Sequence, residues 1–509
     1  MTKPFRRLLA ALSAASLAVL GLTACGPSLP SATPITTEMV GLQMHTWSFD
    51  SIATECPTLE DIGYDWVLVS PPQETIPDSA WWAHYQPVSY KIDSSLGTRS
   101  EFENMVSVCK SNNVQIMVDV VLNHMTGLQN GTGSAGTEFT KYEFPGLYKP
   151  EDFNICPTGV SQIEDYTNVE EIQQCELLSL SDLNTSKANV RDQLVKFLRD
   201  LRGMGVAGFR VDAAKHIKAS ELKQIVDQLP GDTTFISEVI GDTPPQSEYY
   251  EFGHVFSFDW INMVRNIFSS SGLLGGSADQ NYFDMLSPSD KTVTLVTNHD
   301  TERNGGAISY QFAKNFNLAT IFTLAAPYGK PMLYSSYAFS DYDAGPLGSP
   351  TGYQPVAQCV SDPSPGYGAY QDGDWICQHR WPANKGMIAF RKAVGDSKFS
   401  DIWQEGDAYG FGRGKLGFVV FNSGETDVTA TIKTSLPAGT YTDRIGGGSV
   451  TVGADGMMTV DVKSWNAVAI DIKSKNWPEL SKRASCARPC AFWRTCRCQQ
   501  SASQAHRPR

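Results

Sequence analysis

The sequence is short of positive charge. It carries 41 Lys and Arg against 54 Asp and Glu, a formal net charge of −13. A chain with that field repels phosphate backbones, so nucleic acids and other polyanions are excluded as partners. Internal repeats are also lacking, which excludes solenoid and propeller arrays. Of the 11 cysteines, none forms a Cys-x-x-Cys pair within the body of the chain, which removes the usual spacing of a structural zinc site. A neutral substrate is compatible with this balance.

What is present is a long, moderately apolar chain: 509 residues, 41% hydrophobic and 11% aromatic. That is too long for one core and too apolar for disorder, and it predicts two or three domains. Residues 1–25 begin with Lys3, Arg6 and Arg7, continue as an apolar run from Leu8, and end in small residues before Cys25, the composition of an export signal. The run is short and rich in Ala and Ser, which disfavours a membrane span of about 20 apolar residues. Its ending, LTAC, resembles a bacterial lipobox. Cys25 would then be lipidated, become the mature N-terminus and anchor the protein to the outer face of the cell membrane; an ordinary signal peptide and an extracellular protein is the alternative. The following GPSLPSATPITTE, within 26–39, reads as a flexible linker. Export makes the cysteines disulfide candidates whose pairing the sequence alone leaves open.

From residue 40 to about 335, eight short runs rich in β-branched and aromatic residues alternate with helical segments: VGLQMHTW, YDWVLVSPP, VQIMVDVVLNH, VAGFRVDAA, TTFISEVI, HVFSFDW, TVTLVTNHD and KPMLYSSY. Runs apolar enough to be buried on both faces imply a parallel sheet, and eight such units predict a closed (β/α)8 TIM barrel over 40–396, with a doubly wound open sheet as the rival. Between His124 and Asp182 the rhythm breaks for nearly sixty residues. That is too long for a barrel connection and predicts a small domain inserted after strand 3, at about 125–181. From 397 to 474 alternating strands and turns such as LPAGTY and IGGGS predict a C-terminal antiparallel β-sandwich. Residues 475–509, rich in Arg, Cys, Ser and Gln, read as a disordered tail.

The fourth run, VAGFRVDAAKH at 206–216, is apolar and then crowds Arg210, Asp212, Lys215 and His216 together. In a barrel, residues at the C-terminal ends of strands project into the face where chemistry occurs. Asp119, Glu238 and Asp300 occupy comparable strand ends, with His124 and His299 beside two of them. A single such carboxylate is usually a helix cap or a loop acceptor; four together are hard to explain that way.

The segments DVVLNH, GFRVDAAKH, EVI and TNHD, in that order, resemble the four signature regions of the α-amylase family of glycoside hydrolases. VSPPQE, WWAHYQPVSYKI, APYGKPMLYSSY and DWICQHRW resemble its animal-type members in particular, and the likeness runs over about 40–472. It implies a retaining glycosidase acting on starch-like α-glucans, in which two carboxyl groups sit about 5 to 5.5 Å apart. Asp212 would be the nucleophile, Glu238 the general acid/base and Asp300 the stabiliser of the transition state, with Arg210 keeping Asp212 ionised. Tyr85, His124 and His299 would hold the sugar ring, Trp81, Trp82 and Gln86 would border the cleft, and Lys215 and His216 would face the leaving group.

The resemblance also implies a calcium ion between barrel and insertion, held by the side chains of Asn123 and Asp182 and the carbonyls of Gln173 and His216. It implies disulfides Cys56–Cys109, Cys156–Cys175 and Cys359–Cys377, and a chloride site built from Arg210, Asn298 and Lys314, where lysine stands in place of the arginine usual in that family. A catalytically dead relative would have lost a catalytic carboxylate, and none is lost. Another α-glucan-active enzyme of the family, an α-glucosidase or a transglycosylase, is the remaining alternative to an endo-acting amylase. No extra domain resembling a starch-binding module follows the sandwich, and a monomer is expected.

Overall fold

The computed structural model describes residues 29–269, 283–348, 359 and 370–476. The export signal with Cys25, and the tail beyond residue 476 with its four cysteines, lie outside the described residues. The eight expected strands all form: β1 (Gly41–Met44), β2 (Trp66–Val69), β3 (Gln115–Val121), β4 (Gly208–Asp212), β5 (Thr234–Ser237), β6 (His254–Phe256), β7 (Thr292–Thr294) and β8 (Lys330–Ser335). Each pairs in parallel with its chain neighbours, and β1 pairs with β8 from Gly41↔Met332 to Met44↔Ser335, which closes the barrel and excludes the open sheet. Side chains alternate along a strand, so one set fills the interior, where Trp66, Leu68, Met117, Ile236, Phe256 and Met332 pack. A Cβ at Gly41 would lie 2.1 Å from Trp66, so only glycine lets that indole occupy the barrel floor.

The insertion after β3 leaves and returns on one two-stranded ribbon, with His124 paired to Asp182 and Met125 to Ser181. Cys156–Cys175 staples it, Cys56–Cys109 joins the helices Phe49–Ile62 and Arg99–Ser111, and Cys359–Cys377 closes a later loop, as the resemblance implied. The buried carboxylate of Glu74 adds a clip, accepting from Ala135 N at 3.0 Å and Thr137 N at 2.9 Å. Residues 30–39 are not free as a linker would be. Ala32 N donates to Asp232 at 2.8 Å, Thr33 N to the side chain of Gln115 at 2.8 Å, and Ile35 is buried. The two hydrogen bonds and the buried Ile35 outweigh the Pro and Thr content that suggested a tether.

Beyond the barrel, two four-stranded antiparallel sheets form the sandwich. Strands Ala408–Arg413 and Gly417–Asn422 are buried on both faces because they lie between two cores. Phe411, Val419 and Phe421 pack on the barrel side, while Phe418 and Val420 pack against the second sheet. The joint is polar at its centre. Arg391 donates to the carbonyls of Ala326 and Gly329, and Arg413 to those of Ala325, Ser397 and Gly395. Two cations thus meet carbonyls at and just beyond the C-terminal end of the helix Ala313–Ala325. A second polar strut links Ser335, His379 and Glu55 at 2.9 and 3.0 Å; its composition is that of a hydrolase triad, but all three residues are buried and no substrate reaches them.

Arg413→Met removes one of the two cations from the joint and takes the donor from three carbonyls, that of Ala325 buried and those of Ser397 and Gly395 half-buried. A buried unsatisfied acceptor costs about 1–3 kcal/mol, so thermal denaturation should show a melting temperature lower by several degrees. An unaltered melting temperature would remove the guanidinium from the account of this interface.

Candidate active site

Strand β4 puts Arg210 and Asp212 on one face, two residues apart, aimed at the interior. Arg210 is fully buried. Its Nη1 donates to Asp119 Oδ1 at 2.8 Å and Oδ2 at 2.9 Å, and to Asp212 Oδ1 at 2.7 Å. Its Nη2 makes a close ion contact with Glu238 Oε1 at 2.5 Å. Glu238 follows β5 directly, and its Oε2 accepts from Ala213 N at 2.9 Å. One cation therefore faces three carboxyls, and full ionisation would leave two uncompensated negative charges in a dry site. Burial, opposed by Arg210 and reinforced by the charge of Asp212, pushes the Glu238 carboxyl above its usual range. Burial also pushes Asp212 up, against the pull of Arg210. Asp300 is raised by burial and then by Glu238, and since its side chain keeps 34% exposure on the cleft, water there tempers the effect. Asp119, grouped by sequence with the strand-end carboxylates, sits deeper. It is fully buried within β3, held by Arg210 and by Tyr85 OH at 2.9 Å. It faces the arginine, not the cleft.

Above this cluster opens a cleft of about 490 Å³ that takes in Asp212, Glu238 and Asp300. The turn Trp81–Tyr85 supplies its aromatic wall. Trp81 Nε1 donates to Tyr342 O at 3.0 Å and Trp82 Nε1 to Asp343 Oδ1 at 3.0 Å, which fixes both indoles. Tyr85 stacks on His299, centroids 5.0 Å apart, and Gln86 is held by Thr126 at 2.7 Å. His124 Nε2 lies 3.0 Å from Tyr85 O. Burial lowers His124 and His216 to about 4 and His299 well below its usual value, so all three rings are neutral. Lys215 donates to Ile240 O at 2.9 Å and lies 5.8 Å from the ring of Tyr166. All the cleft residues expected from sequence line this space except Arg210, which lies beneath it. The structure adds Tyr166, Leu177, Leu178 and Leu180 from the insertion, Ile240 after Glu238, and Asn304. Leu178 is 77% exposed in a left-handed conformation (φ 52°), an apolar side chain held out on the rim. No periodic pattern marks the insertion, so nothing in the sequence singled these residues out.

At the base of the insertion Asp182 is buried and accepts from Asn154 Nδ2 at 2.7 Å. Burial pushes its carboxyl well above the usual range, and among the described residues no Lys or Arg pairs with it. Asn123 lies beside His124, the ribbon partner of Asp182, and hydrogen-bonds to it. The neutral ring of His216 donates through Nδ1 to Ile172 O at 2.9 Å, which brings residue 216 against the helix Val169–Gln174 that carries Gln173. Among the described residues no group of three or more His, Cys, Asp or Glu is placed to hold a metal. Lys314 is a correction to the anion set. It is exposed, second in the helix Ala313–Ala325, whereas Arg210 and Asn298 are fully buried. Asn298 spends its Oδ1 capping its own helix, accepting from Thr301 N at 2.9 Å. Helical periodicity sends Lys314 to solvent while the adjacent Ala313 faces inward.

Comparison with known proteins agrees with this geometry. Residues 48–259 match the profile of the alpha amylase catalytic domain, and residues 403–473 that of the alpha amylase C-terminal all-beta domain. An alpha-amylase of Streptomyces violaceus is 38% identical over 473 residues, covering 91% of this chain and 79% of that protein. An alpha-amylase-related protein of Drosophila varians is 37% identical, covering 84% and 90%. The crystal structure of a mutant alpha-amylase I from Eisenia fetida, in complex with maltohexaose, superposes with a TM-score of 0.79 at 31% identity, covering 87% of this chain and 99% of that one. With barrel, insertion, sandwich and carboxylate cluster all in place, the chain belongs to the α-amylase family of glycoside hydrolases.

Proposed function

We propose that the protein is an endo-acting, monomeric α-amylase that hydrolyses α-1,4-glucosidic bonds of starch, glycogen and related glucans by double displacement with retention. The observation that carries this reading is the set of three carboxyl groups over one buried guanidinium on the floor of an aromatic-walled cleft. A single fork touching both Asp212 and Glu238 favours the short separation of a retaining enzyme, about 5 to 5.5 Å, over the wider gap of an inverting one. Asp212, ionised beside Arg210, attacks the anomeric carbon as Glu238 gives its proton to the leaving glycosidic oxygen. The carbon–oxygen bond to the leaving chain breaks and a glycosyl ester to Asp212 forms. Water then attacks the same carbon, Glu238 takes its proton, and the ester breaks to release the second product. Asp300 stabilises the positive charge that develops on the ring in both steps. Trp81, Trp82 and Tyr85 pack on sugar faces, and the neutral His124 and His299 bond sugar hydroxyls. Lys215, His216, Tyr166 and Ile240 border the leaving-group side.

The residues around Asp182 fit a hard cation. The desolvated carboxylate meets the side-chain amides of Asn154 and Asn123 and, among the described residues, no Lys or Arg balances its charge. Asn123, Asp182 and the carbonyls of Gln173 and His216 would hold calcium, which would neutralise Asp182 and bind the insertion to the barrel. Chloride does not fit its expected donors, because Lys314 is turned to solvent, and no step is routed through it. Three disulfides fit an oxidising, extracellular setting.

Asp212→Asn and Glu238→Gln should each lower kcat at least about a thousandfold, with the double variant little worse than either. The basic limb of the wild-type pH profile should lie above the ordinary glutamate range, since activity needs Glu238 protonated and its proton is held more tightly than usual. Near-normal turnover in either single variant sinks the mechanism, and release of glucose alone from a long glucan sinks the endo-acting reading. Removing calcium with a chelator should lower the melting temperature, because free calcium at a hundred times its Kd contributes about 2.7 kcal/mol; an unchanged temperature argues against the ligands named. Lys314→Gln should leave the pH profile unaltered, in chloride and in an inert anion alike at fixed ionic strength. A shift seen only in chloride would return Lys314 to the site.

A further inference from the structure

The ring of His299 is gripped on both faces. Tyr85 stacks on one side at 5.0 Å and 5°, and His45 on the other at 4.9 Å and 13°. Its two nitrogens therefore point along fixed lines. Nδ1 lies 3.0 Å from Nε2 of Gln43, and Nε2 lies 3.3 Å from Oδ2 of Asp300. Gln43 is a polar residue in an otherwise apolar strand, 3% exposed and fixed in place by the pairing of β1 with Leu68 on β2 and Tyr334 on β8. Neither the cleft lining nor the proton transfers account for it.

A neutral imidazole has one N–H and one lone pair, and the partner of one nitrogen decides the state of the other. Burial, with the charges of Arg210 and Arg303, keeps His299 neutral. An amide nitrogen can only donate, so Nδ1 accepts and the ring proton sits on Nε2, directed at Asp300. With the amide turned over, Oε1 would demand the proton on Nδ1 and leave a bare lone pair facing Asp300, a repulsive arrangement once that carboxyl is ionised, the form in which it stabilises positive charge on the sugar ring.

We propose that Gln43 is a positioning residue of the glycosidase: by donating to Nδ1 it holds His299 in the Nε2–H form, so that the ring offers a donor to Asp300 and to the hydroxyl of a bound sugar. The hydrogen-bond direction set on β1 thus reaches the carboxylate that faces the substrate. The kinetic consequence rests on the amylase reading; the tautomer does not.

The test is nitrogen-15 NMR of protein labelled at its eight histidines, with the His299 signals assigned by their loss in His299→Gln. Wild type should show a protonated Nε2 and an unprotonated Nδ1. Gln43→Glu, whose carboxylate can only accept, should move the proton to Nδ1, and Gln43→Met should give a mixture. On a soluble maltooligosaccharide, Gln43→Met should lower kcat about tenfold, the rate equivalent of one hydrogen bond, with KM changed less than about twofold. A wild-type proton on Nδ1, or the same tautomer in all three proteins, overturns the proposal, as does full kcat in a variant whose tautomer has moved. The wild-type spectrum decides the tautomer even if neither variant folds. A protein with the predicted tautomer but without glucan hydrolysis refutes the amylase reading and leaves the assignment of Gln43 to the ring intact.

Discussion

A guanidinium that meets no water governs the centre of this barrel. Moving Arg210 out of solvent costs far more than any one hydrogen bond returns, unless the charge is met by anions at close range. Asp119, Asp212 and Glu238, from three adjacent strands, meet it. The same contacts set the heights of β3, β4 and β5 relative to one another, because Arg210 is in register with Asp119 on one side and Ile236 on the other. Three carboxyls around one cation are two more than charge balance wants. The surplus is what keeps a proton within the cluster, and a glycosidase needs such a proton. Fold specification and acid catalysis draw on one arginine.

Around that cluster the histidines take no part in proton transfer. His45, His84, His124, His216 and His299 are all buried, and burial lowers each below its usual value. A neutral ring in a dry wall is a fixed donor and acceptor, suited to reading hydroxyl groups. Acid and base work is left to the carboxylates, which the same dryness pushes in the opposite direction.

Much of this was legible in the sequence because it is periodic or local. Strands buried on both faces are continuous apolar runs, so all eight could be found. The alternation of Arg210 and Asp212 along one strand put them on one face, and VAGFRVDAAKH, TNHD and EVI carried the resemblance. What escaped depends on depth or on irregular backbone. Asp119 and Asp212 both sit in strands, but only the latter stands at a strand end where the cleft begins. Lys314 and Ala313 are neighbours, yet the helix turns one out and the other in. Leu178 and Tyr166 reach the cleft through a loop without periodicity. Residues 30–39 have the composition of a linker, yet two hydrogen bonds and the buried Ile35 hold them.

The ribbon that returns the insertion to the barrel has a further meaning. His124, which faces the cleft, and Asp182, the buried carboxylate at the base of the insertion, are a pair on the same two-rung ladder. Two rungs, with the Glu74 clip and the bond from His216 to Ile172, hold little free energy compared with the closed ring of eight strands beneath them. The insertion therefore has its own threshold for opening, lower than that of the barrel, and the grip on the sugar opens with it. Heating would first loosen the insertion while leaving the barrel folded, so under the role proposed for His124 the temperature at which activity fades measures how the insertion is attached rather than how the barrel is built.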